Sequence, residues 1–95
     1  MESITVTIKI DPVLKRTKKK GFSVYVNGSR VGDIYLGDVL QFPVTETTNL
    51  IQLSWTDKKP FNWPESTYSF DATKIDGILN LEITHVNLLI TIKKI

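Results

Sequence analysis

Apolar and polar residues alternate along most of this chain, and this alternation is the strongest constraint on its fold. In the segment SITVTIKI, every second residue is apolar: Ile4, Val6, Ile8 and Ile10. Because successive side chains of a β-strand point to opposite faces, such a segment buries one face and exposes the other. No stretch of 11 or more residues combines a helical period with capping residues. The sequence therefore predicts an all-β fold.

Turn residues divide the pattern into seven or eight short strands, which are expected at 4–10, 21–26, 30–36, 39–44, 50–55, 66–70, 78–84 and 86–92. Asn27-Gly28 is the strongest hairpin signal, because both central residues of a type I′ turn need positive φ. Gly37 marks the next turn, Gly32 indicates a β-bulge, and Pro43 indicates an edge strand. This spacing predicts one domain, 1–95, with an antiparallel, immunoglobulin-like β-sandwich; a small β-barrel is the alternative.

Composition excludes several kinds of chemistry. The chain has no cysteine, which excludes disulfides, thiolate metal ligands and thiol nucleophiles. It has no apolar run near the roughly 20 residues of a membrane-spanning helix. Its N-terminus, MESITVTIKI, lacks the basic start and solid apolar run of a signal peptide. We therefore expect the chain as given to be soluble and without a targeting segment; a leader or a larger parent protein that has been removed is the alternative.

Catalysis and metal binding find little support in the sequence. The single histidine, His85, lies in a predicted turn between two apolar strands, and no G-x-S-x-G motif is present. The aspartates at 33, 38, 57, 71 and 76 fall in predicted turns, where their side chains satisfy nearby backbone donors. Their spacing does not match a calcium-binding loop. We predict no enzyme activity and no catalytic, cofactor-binding or metal-binding residues.

One short segment concentrates positive charge. The net charge of the chain is +2, yet DPVLKRTKKK places five basic residues beside one acid: Lys15, Arg16, Lys18, Lys19 and Lys20. Such a cluster is able to bind phosphates of nucleic acid, anionic lipid or an anionic glycan. Nucleic-acid sites usually add aromatic residues for stacking, but here the nearest is Phe22, which the strand register assigns to the core. The alternative is a solvated loop that protects a sheet edge.

A second candidate site is the segment KKPFNWPE, in which two aromatic residues lie between two prolines. Phe61 and Trp63 are two positions apart on what must be a stiff loop. Exposed there, they would stack on a sugar or contact a partner protein. The alternative is that they fold over the end of the sandwich and close its core, since large aromatic side chains are mostly buried.

Residues 22–44, FSVYVNGSRVGDIYLGDVLQFPV, resemble a recurrent bacterial β-module pattern. A strand reading VYVNG is followed by xVG, a short turn with glycine and an apolar strand; the matching residues are Val24, Tyr25, Val26, Asn27, Gly28, Val31, Gly32 and Gly37. The pattern is similar to that of PEGA-like and related immunoglobulin-like surface modules. The resemblance implies a non-catalytic module for attachment, spacing or protein contact, and it assigns no binding residues.

Three functional hypotheses follow from these features. The first is a non-enzymatic structural or protein-interaction module, in a bacterial cell-envelope or multidomain protein, that uses a strand edge or the loop 56–65. The second is polyanion binding through the basic segment 15–20. The third is carbohydrate binding through Phe61 and Trp63. The sequence does not determine the oligomeric state or the cellular location.

Overall fold

The computed structural model describes residues 3–57, 65–86 and 89–95, most of which form β-strands. Eight strands occur in these ranges: β1 (Ile4–Ile10), β2 (Phe22–Val26), β3 (Ser29–Ile34), β4 (Val39–Val44), β5 (Thr48–Trp55), β6 (Ser66–Asp71), β7 (Ile78–Val86) and β8 (Leu89–Lys94). The helical elements among the described residues are two short 3-10 helices, Lys15–Lys18 and Ala72–Lys74. The all-β prediction is confirmed. No described helix has the length and apolar character needed to cross a membrane.

The strands form two sheets of four, with the orders β4-β1-β7-β8 and β3-β2-β5-β6. Of the six strand pairs within the described ranges, five are antiparallel, as the short turns predict. The pair β1–β7 is parallel, with Ile8 opposite Leu81, and this differs from the predicted antiparallel pattern. A parallel pair needs a long connection, and here the intervening chain supplies it by building the second sheet.

The inward-facing side chains of both sheets form one hydrophobic core. Its buried members are Ile4, Val6, Ile8, Ile10, Leu14, Phe22, Val24, Val26, Ile34, Phe42, Val44, Ile51, Leu53, Trp55, Ala72, Leu79, Leu81, Ile83 and Ile92. The alternation predicted for β1 is confirmed, because every second side chain of this strand is buried. Phe22 and Trp55 stack with ring centroids 4.4 Å apart. The predicted burial of Phe22 is thus confirmed as well.

The predicted turns at Asn27-Gly28 and at Gly37 are also confirmed. Asn27 and Gly28 have φ values of 51° and 87°, as a type I′ turn requires. The Asn27 side chain accepts a hydrogen bond from the Leu50 backbone N–H at 2.8 Å, which ties this turn to β5. Gly37 also has positive φ, 93°. The bulge lies next to Gly32, because the β2–β3 register shifts there, and β4 with Pro43 is an edge strand.

Several predicted boundaries and placements are wrong. His85 does not lie in a turn: β7 continues through it, and it pairs with Ile90 of β8. The sequence pattern predicts that Val86 begins the last strand, expected at 86–92, but Val86 ends β7 and is 52% exposed. The reason is that the alternation of β7 persists, which leaves Val86 on the outer face with Glu82. Asp33 lies in β3, in agreement with the strand expected at 30–36 and not with the turn assigned to this aspartate; its carboxylate accepts hydrogen bonds from Arg30 and Ser23.

Candidate functional site

The predicted basic segment lies at one end of the domain, where several strands start and finish. β1 ends at Ile10, in register with Ile83 of β7. The last residue of β3 pairs with the first residue of β2. Residues 35–38 connect β3 to β4, and the first residue of β4 pairs with Lys9 near the end of β1. Both sheets therefore present these termini at the same end. We call it the basic end; its described residues are 11–21, 35–38, 56–57, 84–86 and 89–91.

The basic segment is an anchored turn rather than the open loop expected from its charge. Residues Lys15–Lys18 form a 3-10 helix, in which side chains three positions apart lie on the same side. Leu14 and Thr17 are three apart and both are buried. The Thr17 hydroxyl donates a hydrogen bond to the Leu14 carbonyl at 2.5 Å, and the Leu36 N–H donates to the Thr17 carbonyl at 3.1 Å. Lys15 and Lys18, also three apart, therefore face solvent.

The five predicted basic residues have different surroundings. Lys15, Lys18 and Lys19 are exposed, and no carboxylate within the described ranges lies at ion-pair distance from them. Lys20 differs, since its Nζ lies 3.0 Å from Asp57 Oδ2 and 5.1 Å from the centroid of the Trp55 ring. The backbone of Arg16 belongs to the same 3-10 helix. The structure thus leaves three lysines available to a ligand and engages the fourth.

The carboxylates at the basic end are occupied by internal partners. Asp11 accepts hydrogen bonds from the Val13 N–H at 3.1 Å and from the Thr84 hydroxyl at 2.8 Å. Asp38 accepts one from the Tyr35 N–H at 3.0 Å, and Asp57 pairs with Lys20. Within the described ranges, none of these three acids forms an ion pair with Lys15, Lys18 or Lys19.

Asp11 links the segment after β1 to β7, and this link is sensitive to pH. The hydrogen bond from the Val13 N–H, followed by that from Thr84, lowers the pKa of Asp11 below its ordinary value of 3.8. A carboxylate whose pKa is lower in the folded state stabilises the fold above its unfolded pKa. That contribution disappears as the pH falls through the folded pKa.

We expect Asp11→Asn to lower the free energy of unfolding at pH 7, because the amide accepts these hydrogen bonds less strongly than the carboxylate. The loss should shrink below about pH 4, where the wild-type carboxyl also becomes protonated. Urea unfolding of the wild type and the variant at a series of pH values measures this difference in the free energy of unfolding. Asp76→Asn removes an exposed carboxylate at the opposite end and serves as the control. Equal pH dependence of the two variants would contradict the assignment.

The other predicted contact residues, Phe61 and Trp63, lie outside the described residues, and their role stays a prediction. The described residues on either side of them include Thr56, which is hydrogen-bonded to the residue before β2, and Glu65, which is hydrogen-bonded to β5. The Thr56 N–H donates to the Gly21 carbonyl at 3.0 Å, and the Glu65 N–H donates to the Leu53 carbonyl at 2.7 Å.

Elsewhere on the molecule, an open groove of about 360 Å³ lies along the outer face of β1 and β7. Its lining residues are Thr7, Lys9, Asn80, Leu81 and Ile95. The sequence did not indicate it, because the residues come from three distant segments that meet only through strand pairing. Within the described ranges, no three His, Asp or Glu side chains cluster closely enough to hold a metal ion.

No protein-family model matches this chain, and comparisons with curated proteins and with solved structures found no match either.

Proposed function

We propose that this chain is a non-catalytic interaction module that binds polyanions through Lys15, Lys18 and Lys19 at its basic end. The observation that carries the proposal is the contrast between these lysines and the nearby acids. The three ammonium groups are exposed without a carboxylate partner among the described residues, whereas Asp11, Asp38 and Asp57 each have an internal donor.

The anchored 3-10 helix strengthens this proposal. A flexible lysine-rich loop loses conformational entropy when a ligand orders it, and this loss weakens binding. Here the burial of Leu14 and Thr17 already orders the backbone, so the ligand has to order only the lysine side chains. Arg16, in the same helix, adds a fourth positive charge to the long-range attraction of an anion.

We further propose an immunoglobulin-like β-sandwich as the architecture, in line with the resemblance of residues 22–44 to PEGA-like modules. Two four-stranded sheets that share one core support it. The resemblance favours a bacterial surface or multidomain protein in which this module mediates attachment. Protein contact through a strand edge and sugar binding through Phe61 and Trp63 remain alternative proposals; the described residues favour the polyanion because they supply its charged contacts.

Heparin binding tests the proposed function. We expect Lys15→Gln combined with Lys18→Gln to weaken binding about fivefold to thirtyfold, since exposed ion pairs each contribute up to about 1 kcal/mol. The affinity of the wild-type protein should fall steeply with salt, and less steeply in the variant. Binding measured by calorimetry at several salt concentrations gives both quantities.

The matched control is Lys74→Gln combined with Lys94→Gln, which removes the same charge from exposed lysines outside the basic end. It should reduce binding by less than about twofold, through the change in net charge alone. Equal losses in the two double variants, or a wild-type affinity that does not depend on salt, would refute the proposed function.

A further inference from the structure

The basic end also exposes aliphatic side chains, which the proposed function does not use. Val13 is 58% exposed, Val86 52% and Leu89 70%. Single exposed apolar residues are common on protein surfaces. Three at one end of a small domain, beside three exposed lysines, make an amphipathic surface.

Strand pairing brings Val86 and Leu89 together, and the hydrogen bonds of Asp11 bring Val13 close to the end of β7. Val86 and Leu89 are directly opposite each other in the β7–β8 pair. Thr84 is two residues before Val86 and therefore lies on the same face of β7. The Asp11 carboxylate accepts from both the Thr84 hydroxyl and the Val13 N–H, which holds Val13 beside this row. Lys15 follows Val13 by two residues, so the aliphatic and basic groups are continuous.

Charge separates this surface from the opposite end of the domain. That end also exposes two aliphatic residues, Ile78 and Ile95. There, however, Lys74 follows closely after the acid Asp71 and precedes Asp76, which leaves no excess of positive charge in that segment. At the basic end the described residues combine exposed aliphatic groups with three neighbouring lysines, Lys15, Lys18 and Lys19, that have no ion pair within the described ranges.

We propose that the basic end docks on an anionic lipid bilayer, with Val13, Val86 and Leu89 in the boundary between headgroups and acyl chains. Lys15, Lys18 and Lys19 then contact lipid phosphates. Partial insertion of apolar groups combined with basic residues near the surface is the physical basis of peripheral membrane binding. The inference rests on the proposed polyanion binding and names the anion.

The chemistry of the exposed groups favours a bilayer over a nucleic acid. Nucleic-acid sites without base-specific contacts use aromatic side chains on which bases stack. At this end Phe22 and Trp55 are buried and stack on each other. Tyr35 is partly buried and its ring lies close to Gly21. Among the described residues at this end, the large apolar side chains that face solvent, Val13, Val86 and Leu89, are aliphatic, and acyl chains are a complementary surface for them.

Vesicle sedimentation tests the inference. We expect the protein to bind vesicles of phosphatidylcholine with phosphatidylserine. Its affinity for pure phosphatidylcholine vesicles should be lower by about tenfold or more. Val13→Ser combined with Leu89→Ser should weaken binding to the anionic vesicles by about tenfold or more, because the variant lacks two apolar side chains that move from water into the bilayer on binding. The same variant should keep its affinity for heparin. Ile78→Ser combined with Ile95→Ser is the matched control and should bind both as the wild type does.

A fluorescent label reports insertion directly. The chain has no cysteine, so Val13→Cys provides a unique attachment point for an environment-sensitive dye such as NBD. We expect its emission to shift to the blue on anionic vesicles and to stay unchanged with heparin. The same dye at Ile78→Cys, at the opposite end, should show no shift in either case.

The possible outcomes separate the two proposals. Heparin binding without vesicle binding, or vesicle binding that the Val13 and Leu89 changes leave intact, would overturn membrane docking and leave the proposed function in place. Tighter binding to a nucleic acid than to anionic vesicles would likewise overturn it. A protein that binds neither heparin nor vesicles would overturn both.

Discussion

Replacing Phe22 with alanine is expected to lower the free energy of unfolding by about 3–5 kcal/mol. The Phe22 ring is fully buried and stacks on Trp55 at 4.4 Å. The alanine would remove this contact and leave a cavity that the two sheets cannot close, since each is held by its own ladder of hydrogen bonds. The loss is large relative to the stability of a domain of this size, which is about 5–15 kcal/mol.

Urea unfolding followed by circular dichroism measures this effect, and the same strand offers a matched control. Tyr25 is an aromatic residue of β2 on the outer face, and Tyr25→Ala should reduce stability by about 1 kcal/mol. If Phe22→Ala does not fold, Phe22→Leu keeps the test open with an expected loss of about 1.5 kcal/mol. A greater loss at Tyr25 than at Phe22 would mean that the two faces of β2 are assigned the wrong way round.

Gly21→Ala is expected to reduce stability by about 3 kcal/mol or more, through a collision rather than a cavity. A Cβ atom at this position would lie 2.4 Å from the Ile34 carbonyl oxygen and 2.8 Å from Cδ2 of Tyr35. The tyrosine ring is able to rotate away, but the carbonyl belongs to the end of β3 and moves only if the β2–β3 pairing shifts. The Gly21 carbonyl also accepts the hydrogen bond from Thr56, so the shift would reach the end of β5.

Gly37→Ala is the control for this prediction, because it separates crowding from backbone conformation. Gly37 has a φ of 93°, and apart from its chain neighbours no atom lies within 4 Å of the position that an alanine Cβ would take. Alanine there meets only conformational strain of about 1 kcal/mol. In thermal or urea unfolding, the free energy of unfolding of Gly21→Ala should be clearly lower than that of Gly37→Ala. A Gly21→Ala protein as stable as the wild type would show that β3 does not approach Gly21 this closely.

Much of the fold was predictable because its signals are local. The alternation in β1 places four isoleucine and valine side chains on one face, and a strand has only two faces, so burial follows from the pattern. The Asn27-Gly28 turn follows from the backbone preferences of two adjacent residues. The position of Pro43 on an edge strand follows from its missing N–H.

The remaining features depend on partners that are distant in the chain. The parallel β1–β7 pair joins residues that are far apart in sequence, and no local pattern specifies it. Alternation alone is also compatible with a last strand that begins at Val86. The pairing of Val86 with Leu89 is what assigns Val86 to the end of β7. The engagement of Lys20 by Asp57 and Trp55 likewise needs residues from the end of β5.

In the candidate site, too, some features follow from the local sequence and others from contacts between distant residues. Sequence alone determined that the positive charge of this protein concentrates in residues 15–20, since charge is a property of each residue. It also determined the β-strands, because period and turn residues act over a few positions. The tertiary structure decided which lysines lack an acidic partner among the described residues and which aliphatic side chains lie beside them. Those properties depend on burial and on hydrogen bonds such as that between Asp11 and Thr84, which form only when distant strands meet.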